Sequence, residues 1–288
     1  MEQTKAKSNV ATRVWTATIF VAVMLIGMLG GKYTYIICFG IINGLCLWEF
    51  YSFALGKGFK RYWFRNTLAM LLGMTPYIYS GLVQMQYVSI SLQSLLIVLF
   101  IFYLSFLGLC IIELFNTSAH ALAYLSFLIL GVVYISGAFA ILNYLAFKEG
   151  VYQLDIVTGI VLLVWTNDTA AYFVGSRFGK TPLFPRISPK KTWEGSIGAA
   201  LITLIIAFPV SIVFPTFTFP VWLIITVIIF IAGGIGDLVE SMFKRSIQLK
   251  DSSSLLPGHG GFLDRFDAFI FAVPFVAAFL VLFTDLLM

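Results

Sequence analysis

Long apolar stretches separated by short polar segments make up nearly the whole chain. Runs of 18 or more predominantly apolar residues recur from near the N-terminus to the C-terminus, and runs of that length are typical of membrane-spanning helices. Glycine, proline or charged clusters separate most of them. The pattern predicts an all-α, polytopic membrane protein with nine transmembrane helices, at residues 14–31, 33–54, 66–84, 90–113, 118–147, 155–176, 193–214, 219–242 and 262–286.

Composition agrees with this pattern, and charge adds an orientation. The chain of 288 residues is 60% hydrophobic and 11% charged, whereas a soluble domain carries about 25% charged residues. With nine crossings and a cytoplasmic N-terminus, 16 of the 18 lysines and arginines lie on the cytoplasmic side, leaving only Lys32 and Lys148 outside. This asymmetry follows the positive-inside rule and places the C-terminus outside. Dividing the fifth run into two short helices would abolish the asymmetry, so we expect one helix there.

Five carboxylates occupy positions that a membrane protein normally avoids. A carboxylate at the centre of a membrane helix costs about 2.5–3.5 kcal/mol on insertion scales, so these groups are tolerable only where they face water and share a cation. Two pairs have helical spacing on one face, and carboxylate oxygens are ligands that Mg²⁺ prefers, together with substrate phosphates. The sequence therefore predicts a Mg²⁺ site near the cytoplasmic ends of the last two helices. The five residues are Asp168, Asp237, Glu240, Asp264 and Asp267.

Several acidic residues also have a purely structural interpretation. Asp168 can serve helix packing through Asn167 or a neighbouring helix, and Glu240 is expected to pair with Lys244, four residues further on. Glu49 and Glu113 lie near the ends of predicted helices, which favours positions at the membrane interface.

Two basic, glycine-containing loops precede the last helices on the predicted cytoplasmic side. They read "SRFGKTPLFPRISPKKTWEG" and "KRSIQLKDSSSLLPGHGG". Lysine, arginine and serine side chains bind anions, and glycines allow backbone N–H groups to approach a ligand or adopt positive φ. Since carboxylates begin the helix after the second loop, a metal is expected to mediate between them and a phosphate. Such an arrangement at the membrane surface points to phosphoryl or nucleotidyl transfer onto a lipid.

The segment from Ser241 to Asp267 resembles the signature of the phosphatidate cytidylyltransferases, also called CDP-diacylglycerol synthases. The resemblance rests on "SMFKR", "KD", Ser253, "LP", "HGGF" and "DRFD", and extends to "SPKKTWEG" and to "ND" at Asn167–Asp168. It covers residues 165–270, while the first five helices are too generic to contribute. The resemblance implies an enzyme, a nucleotidyltransferase of phospholipid biosynthesis, that makes CDP-diacylglycerol and pyrophosphate from CTP and phosphatidate with Mg²⁺.

The resemblance also implies roles for individual residues. Metal ligands would be Asp237, Asp264 and Asp267, in a site large enough for a second cation. Catalytic residues would be Lys244, Arg245, Lys250, Asp251, His259 and Arg265. Among them, the lysines and arginines would neutralise phosphates, and His259 would donate a hydrogen bond to a phosphate or to the leaving group. Substrate-binding residues would be Asn167, Asp168, Ser188, Lys190, Lys191, Gly258, Gly260 and Gly261.

Two other functions remain open at this level. A CTP-dependent polyprenol or dolichol kinase would use the same nucleotide but transfer its γ-phosphate. An ion-coupled transporter would also carry carboxylates inside helices, although it would not need two basic loops beside them.

The remaining expectations concern organisation and surroundings. We expect helices 1–5 (residues 1–150) to form a scaffold and helices 6–9 (residues 151–288) to carry the catalytic loops. The bilayer is an expected partner, nucleic acid is not, and "GSIGAA" (Gly195–Ala200) permits close helix packing within one chain or in a homodimer. The basic leader and first apolar run indicate a membrane span rather than a signal peptide, and we expect a bacterial inner membrane with the active site facing the cytoplasm.

Overall fold

The computed structural model of the protein describes residues 2–55, 63–115, 121–249, 252–253, 255–256 and 260–287, and its side chains within 14–54 and up to residue 283 of the later ranges. Within these ranges its elements are nine helical segments and two short antiparallel hairpins. In chain order they are α1 (Glu2–Leu29), α2 (Lys32–Leu55), α3 (Trp63–Gln84), α4 (Leu92–Phe115), α5 (Ala121–Ala146), β1 (Phe147–Lys148), β2 (Val151–Tyr152), α6 (Leu154–Phe178), β3 (Pro182–Phe184), β4 (Ser188–Thr192), α7 (Trp193–Val213), α8 (Phe219–Ser246) and α9 (Leu263–Leu287).

These segments make the protein an all-α, polytopic integral membrane protein. Among the described residues, seven helices are long and apolar enough to cross a membrane, namely α2 and α4–α9, and Val14–Leu29 of α1 is a shorter apolar helix. The fifth apolar run is one continuous helical segment, as predicted, with a π-helical turn at Val132–Ser136. Nine crossings and the orientation of the termini stay predictions.

The helix ends differ from the predicted ones in two informative places. α1 begins at Glu2 rather than at residue 14, because the polar leader contains the strong helix formers Ala, Glu, Gln and Lys. α8 continues to Ser246 rather than to residue 242, and its last turn contains Lys244 and Arg245, where cations interact favourably with the helix dipole. The two hairpins were not predicted, since strands of two to five residues carry too little periodicity.

The chain divides into two compact units. The first comprises Met1–Tyr152 and Asp251–Asp264, and the second comprises Gln153–Lys250 and Arg265–Met288. The first unit therefore contains α1–α5 together with part of the signature segment that precedes α9. In this unit α4 is mostly exposed along its apolar length, as expected for a helix that contacts lipid.

Small residues allow the helices of the second unit to approach closely. A Cβ atom at Gly195 of α7 would lie 2.9 Å from the Cα of Gly175 in α6, and one at Gly198 would lie 2.5 Å from Val174. The "GSIGAA" segment thus serves packing within one chain. A Cβ at Gly236 of α8 would lie 2.4 Å from the Cβ of Phe271 in α9. Gly236 therefore lets α8 and α9 meet at the level of their carboxylates.

Candidate active site

Three elements of the second unit bring their charged residues into one cluster. The close contact at Gly236 places Asp237 of α8 beside α9, where Asp267 is buried. Asp267 lies within electrostatic range of Asp237, Glu240 and Asp168. Asp168 reaches the cluster from α6 and is exposed. The structure therefore brings together the predicted carboxylates of α6, α8 and α9 that belong to this unit.

Two lysines neutralise part of this negative charge. The ammonium of Lys191 lies 2.5 Å from a carboxylate oxygen of Asp237, and both side chains are partly exposed. The ammonium of Lys244 lies 2.5 Å from Glu240, and this pair is buried. The predicted pairing of Glu240 with Lys244 is confirmed. Because breaking a buried pair leaves an uncompensated charge and costs about 3–5 kcal/mol, Lys244 is a fixed positive charge of the framework.

The β3–β4 hairpin positions Lys191. Its base is held by Glu194, in the first turn of α7, whose carboxylate accepts backbone hydrogen bonds from Lys180 at 3.0 Å and from Thr181 at 3.1 Å. The Thr181 hydroxyl donates a further bond of 2.8 Å to the same carboxylate. Thr192 caps α7 by accepting from the backbone N–H of Gly195 at 3.2 Å. The strand that carries Lys191 is thereby fixed against the start of α7.

The remaining predicted residues of the second unit lie around this cluster. Arg265 is exposed and within electrostatic range of Asp168. Arg245 is exposed and donates to the backbone carbonyls of Ile187 and Leu249. Lys190 is exposed and Ser188 partly so, both on β4, while Asn167 is buried on α6.

The first unit contains a second polar centre, built around two carboxylates and the signature segment. Asp264, in the first turn of α9, accepts hydrogen bonds from the backbone N–H of Gly261 at 2.8 Å and of Ser252 at 3.2 Å. Gly260 has φ of +82°, a conformation that L side chains rarely adopt. Glu49 of α2 is the other carboxylate: it is fully buried and accepts bonds from the hydroxyls of Ser252 and Ser253.

The carboxylate chemistry fits a hard cation, although no closed metal site is present in the part of the chain that the structure describes. No group of three or more His, Cys, Asp or Glu side chains there is arranged to hold a metal. In the second unit, however, four carboxylates face the positive charges of Lys191, Lys244 and Arg265. Further positive charge would reduce the repulsion among the carboxylates, and Mg²⁺ takes oxygen ligands of this kind. The Mg²⁺ site and a second cation stay predictions.

Comparison with known proteins now identifies the family. The model of the cytidylyltransferase family matches residues 11–283. The chain belongs to this family. A phosphatidate cytidylyltransferase of Staphylococcus saprophyticus is 42% identical over 158 residues, which are 54% of this chain and 59% of the relative. The corresponding values are 43% over 134 residues (46% and 50%) for the Bacillus subtilis protein of that name and 48% over 122 residues (42% and 46%) for that of Staphylococcus haemolyticus. The chain thus spans about half the length of the curated relatives it matches.

Four predicted site residues lie outside the described residues: Lys250, Asp251, Gly258 and His259. The interfacial positions of Glu49 and Glu113 stay predictions, and both side chains are buried within the protein. Glu113 is paired with Arg65 at 2.9 Å, and Glu49 with the signature segment. The insertion cost of a carboxylate in an apolar run, which drew attention to Asp168, applies equally to Glu49. Its place near the end of a predicted helix concealed that signal.

Proposed function

We propose that the chain transfers the cytidylyl group of CTP to phosphatidate, giving CDP-diacylglycerol and pyrophosphate. The observation that carries the proposal is the cluster of Asp168, Asp237 and Asp267 with Lys191 and Lys244 in a family member whose relatives are named phosphatidate cytidylyltransferase. A cluster of mixed charge suits a reaction between two anions, because opposite charges are needed to bring both phosphates together.

The chemistry demands positioning more than a strong base. A phosphate oxygen of phosphatidate attacks the α-phosphorus of CTP, and the bond from that phosphorus to the bridging oxygen breaks, releasing pyrophosphate. Since the nucleophile is already an anion, catalysis consists mainly of alignment and charge neutralisation. Lys191 and Arg265 are the accessible cations of the cluster and would contact phosphate oxygens. Lys244, which is buried and paired with Glu240, would contribute the electrostatic field of its positive charge.

Mg²⁺ would be held by Asp237 of α8 and Asp267 of α9, which lie within electrostatic range of each other. Bound there, it would neutralise the negative charge that develops on the triphosphate. Asp264 was predicted to hold Mg²⁺ together with Asp267, and its carboxylate in the first unit accepts bonds from Gly261 and Ser252.

The membrane arrangement belongs to the same proposal. Nine crossings would place the basic loops and the carboxylate cluster on the cytoplasmic side of a bacterial inner membrane, where CTP is available, with the N-terminus inside and the C-terminus outside. The sequence asymmetry of 16 basic residues against two supports this orientation. A homodimer is compatible with it.

Labelled CTP tests the proposed reaction. Purified protein receives phosphatidate, Mg²⁺ and CTP labelled at the α- or the γ-phosphate. We expect α label in lipid and γ label in pyrophosphate in equal amounts, and no transfer after metal removal with EDTA. A lipid kinase would move the γ label into a polyprenol or dolichol acceptor, and a transporter would leave both labels in CTP. Either outcome in well-folded protein would refute the proposal.

A further inference from the structure

The Glu49 side chain is the centre of an unusual set of hydrogen bonds. It lies in α2, is fully buried, and is contacted by residues more than 200 positions away in sequence. One carboxylate oxygen accepts from the Ser253 hydroxyl at 2.5 Å and from the backbone N–H of Phe262 at 2.9 Å. The other accepts from the Ser252 hydroxyl at 3.1 Å and from the backbone N–H of Leu263 at 2.8 Å. Four donors thus converge on one carboxylate.

The two backbone donors lie at the start of α9. Leu263 is the first residue of that helix and Phe262 precedes it. The first N–H groups of a helix lack partners within the helix and carry partial positive charge. An anion there satisfies them, and Glu49 supplies it from a different helix. The carboxylate therefore satisfies these two backbone donors at the start of α9.

The two serine donors, Ser252 and Ser253, connect the same carboxylate to an earlier part of the signature segment. Ser252 also donates its backbone N–H to Asp264, which accepts from Gly261 as well. A Cβ atom at Gly261 would lie 2.0 Å from the Ser252 hydroxyl oxygen and 2.4 Å from a Glu49 carboxylate oxygen. Gly261 is thus needed for this packing. One glycine of the signature therefore has a structural role that does not depend on contact with a ligand.

From this geometry we infer that Glu49 is a positioning residue for the reaction, acting through the signature segment rather than on the substrates. The inference rests on the proposed function, because it assigns to α2 the task of holding Ser252, Ser253 and residues 260–263 in a working arrangement. A shift of about 1 Å in a catalytic group far from the altered residue can lower the rate about 100-fold. Loss of the Glu49 anchor is expected to act in this way.

The decisive variant is Glu49→Gln, which keeps the size of the side chain but replaces one acceptor oxygen with an NH₂ donor that faces two of the four donors. We expect turnover to fall by about 10- to 100-fold, with KM for CTP changed less than turnover. Deuterium uptake should become at least about tenfold faster at the amide of residue 262 or 263 that faces the new NH₂ group, because that amide loses its acceptor. Glu49→Asp retains the charge on a shorter stem and should recover part of both quantities.

Glu113→Gln is the matched control, since it also removes a buried carboxylate of the first unit, one paired with Arg65. It should lower the melting temperature without changing turnover per folded molecule or exchange over residues 252–263. If Glu49→Gln does not fold, Ser253→Ala removes one donor and should give a smaller change in the same direction.

Unchanged exchange at residues 262 and 263 in Glu49→Gln would overturn the inference, as would equal effects of Glu49→Gln and Glu113→Gln. Wild-type protein that transfers no α label to lipid would refute the proposed function instead. The exchange measurement still reads the Glu49 contacts in that case, so the two failures are distinguishable.

Discussion

At the residue scale, the charged residues of the signature segment and of the β3–β4 hairpin lie in different environments. Asp267 is buried among other carboxylates, whereas Lys191 and Asp237 form a partly exposed pair. An exposed pair contributes little to stability, about 0–1 kcal/mol, so the Lys191–Asp237 contact leaves both groups available to bind other ions. The buried Lys244–Glu240 pair is fixed by contrast. One cluster therefore contains a fixed, buried ion pair and a partly exposed pair whose members can bind other ions.

Asp267→Asn tests the metal assignment at this scale. The substitution preserves shape and removes the charge that would hold Mg²⁺, so we expect turnover to fall about 100-fold or more. Folding should be kept or improved, because a buried carboxylate near other carboxylates is lost. Turnover with varied Mg²⁺ and the melting temperature are the measurements.

Asp155→Asn is the control for that variant. Asp155 lies in the same unit and accepts a hydrogen bond from Thr216 at an exposed position. Because surface substitutions have small effects, the turnover of the Asp155→Asn variant should stay within about twofold of wild type. Normal turnover in Asp267→Asn would remove Asp267 from the proposed metal site.

At the element scale, the crossing of α8 and α9 depends on one glycine. Gly236 leaves no room for a Cβ atom beside Phe271 and the backbone carbonyl of Asp267. The π-helical turn at Ile229–Gly233 lies one turn before it, and such turns are frequent at functional sites because they shift the register of the following residues. The positions of Asp237 and Asp267 are thus set by backbone packing as well as by charge.

A pair of glycine substitutions tests this. Gly236→Ala should force the two helices apart, destabilise the protein by about 1–3 kcal/mol and lower turnover at least about tenfold. Gly234→Ala adds the same methyl group two residues earlier, where no atom lies within 4 Å, and should leave turnover and the melting temperature nearly unchanged. Thermal unfolding and the labelled-CTP assay measure both. Equal behaviour of the two variants would show that the Gly236 contact is unimportant.

At the scale of the whole molecule, the pattern of apolar runs was sufficient to predict the helices. It was not sufficient to predict which side chains the helices bring into contact. The nine segments were predicted within a few residues at most ends because each is a local pattern. Lys191 and Asp237 were both predicted as site residues, yet their contact depends on the hairpin, which is too short to leave a signal. Glu49 could not be assigned, because the hydrogen-bond donors described for it lie more than 200 residues away.

Sidedness is the prediction at this scale. In protein lacking its three native cysteines, Leu255→Cys places a thiol at an exposed position of the signature segment. An impermeant maleimide should label it only from the cytoplasmic side, as positive-inside charge requires, and CTP with Mg²⁺ should protect it. Lys148→Cys, in the β1–β2 hairpin, is the opposite control and should react only from outside. Labelling of both thiols from one side would contradict nine crossings.

The distance in sequence between Glu49 and its partners also has a consequence for biosynthesis. Glu49 and Phe262 are 213 residues apart, and ribosomes add roughly 5–20 residues per second. The helix that carries Glu49 therefore waits roughly 10–40 s in the membrane before the hydrogen-bond donors emerge. During that interval the nascent chain carries a carboxylate that its own later part will cover.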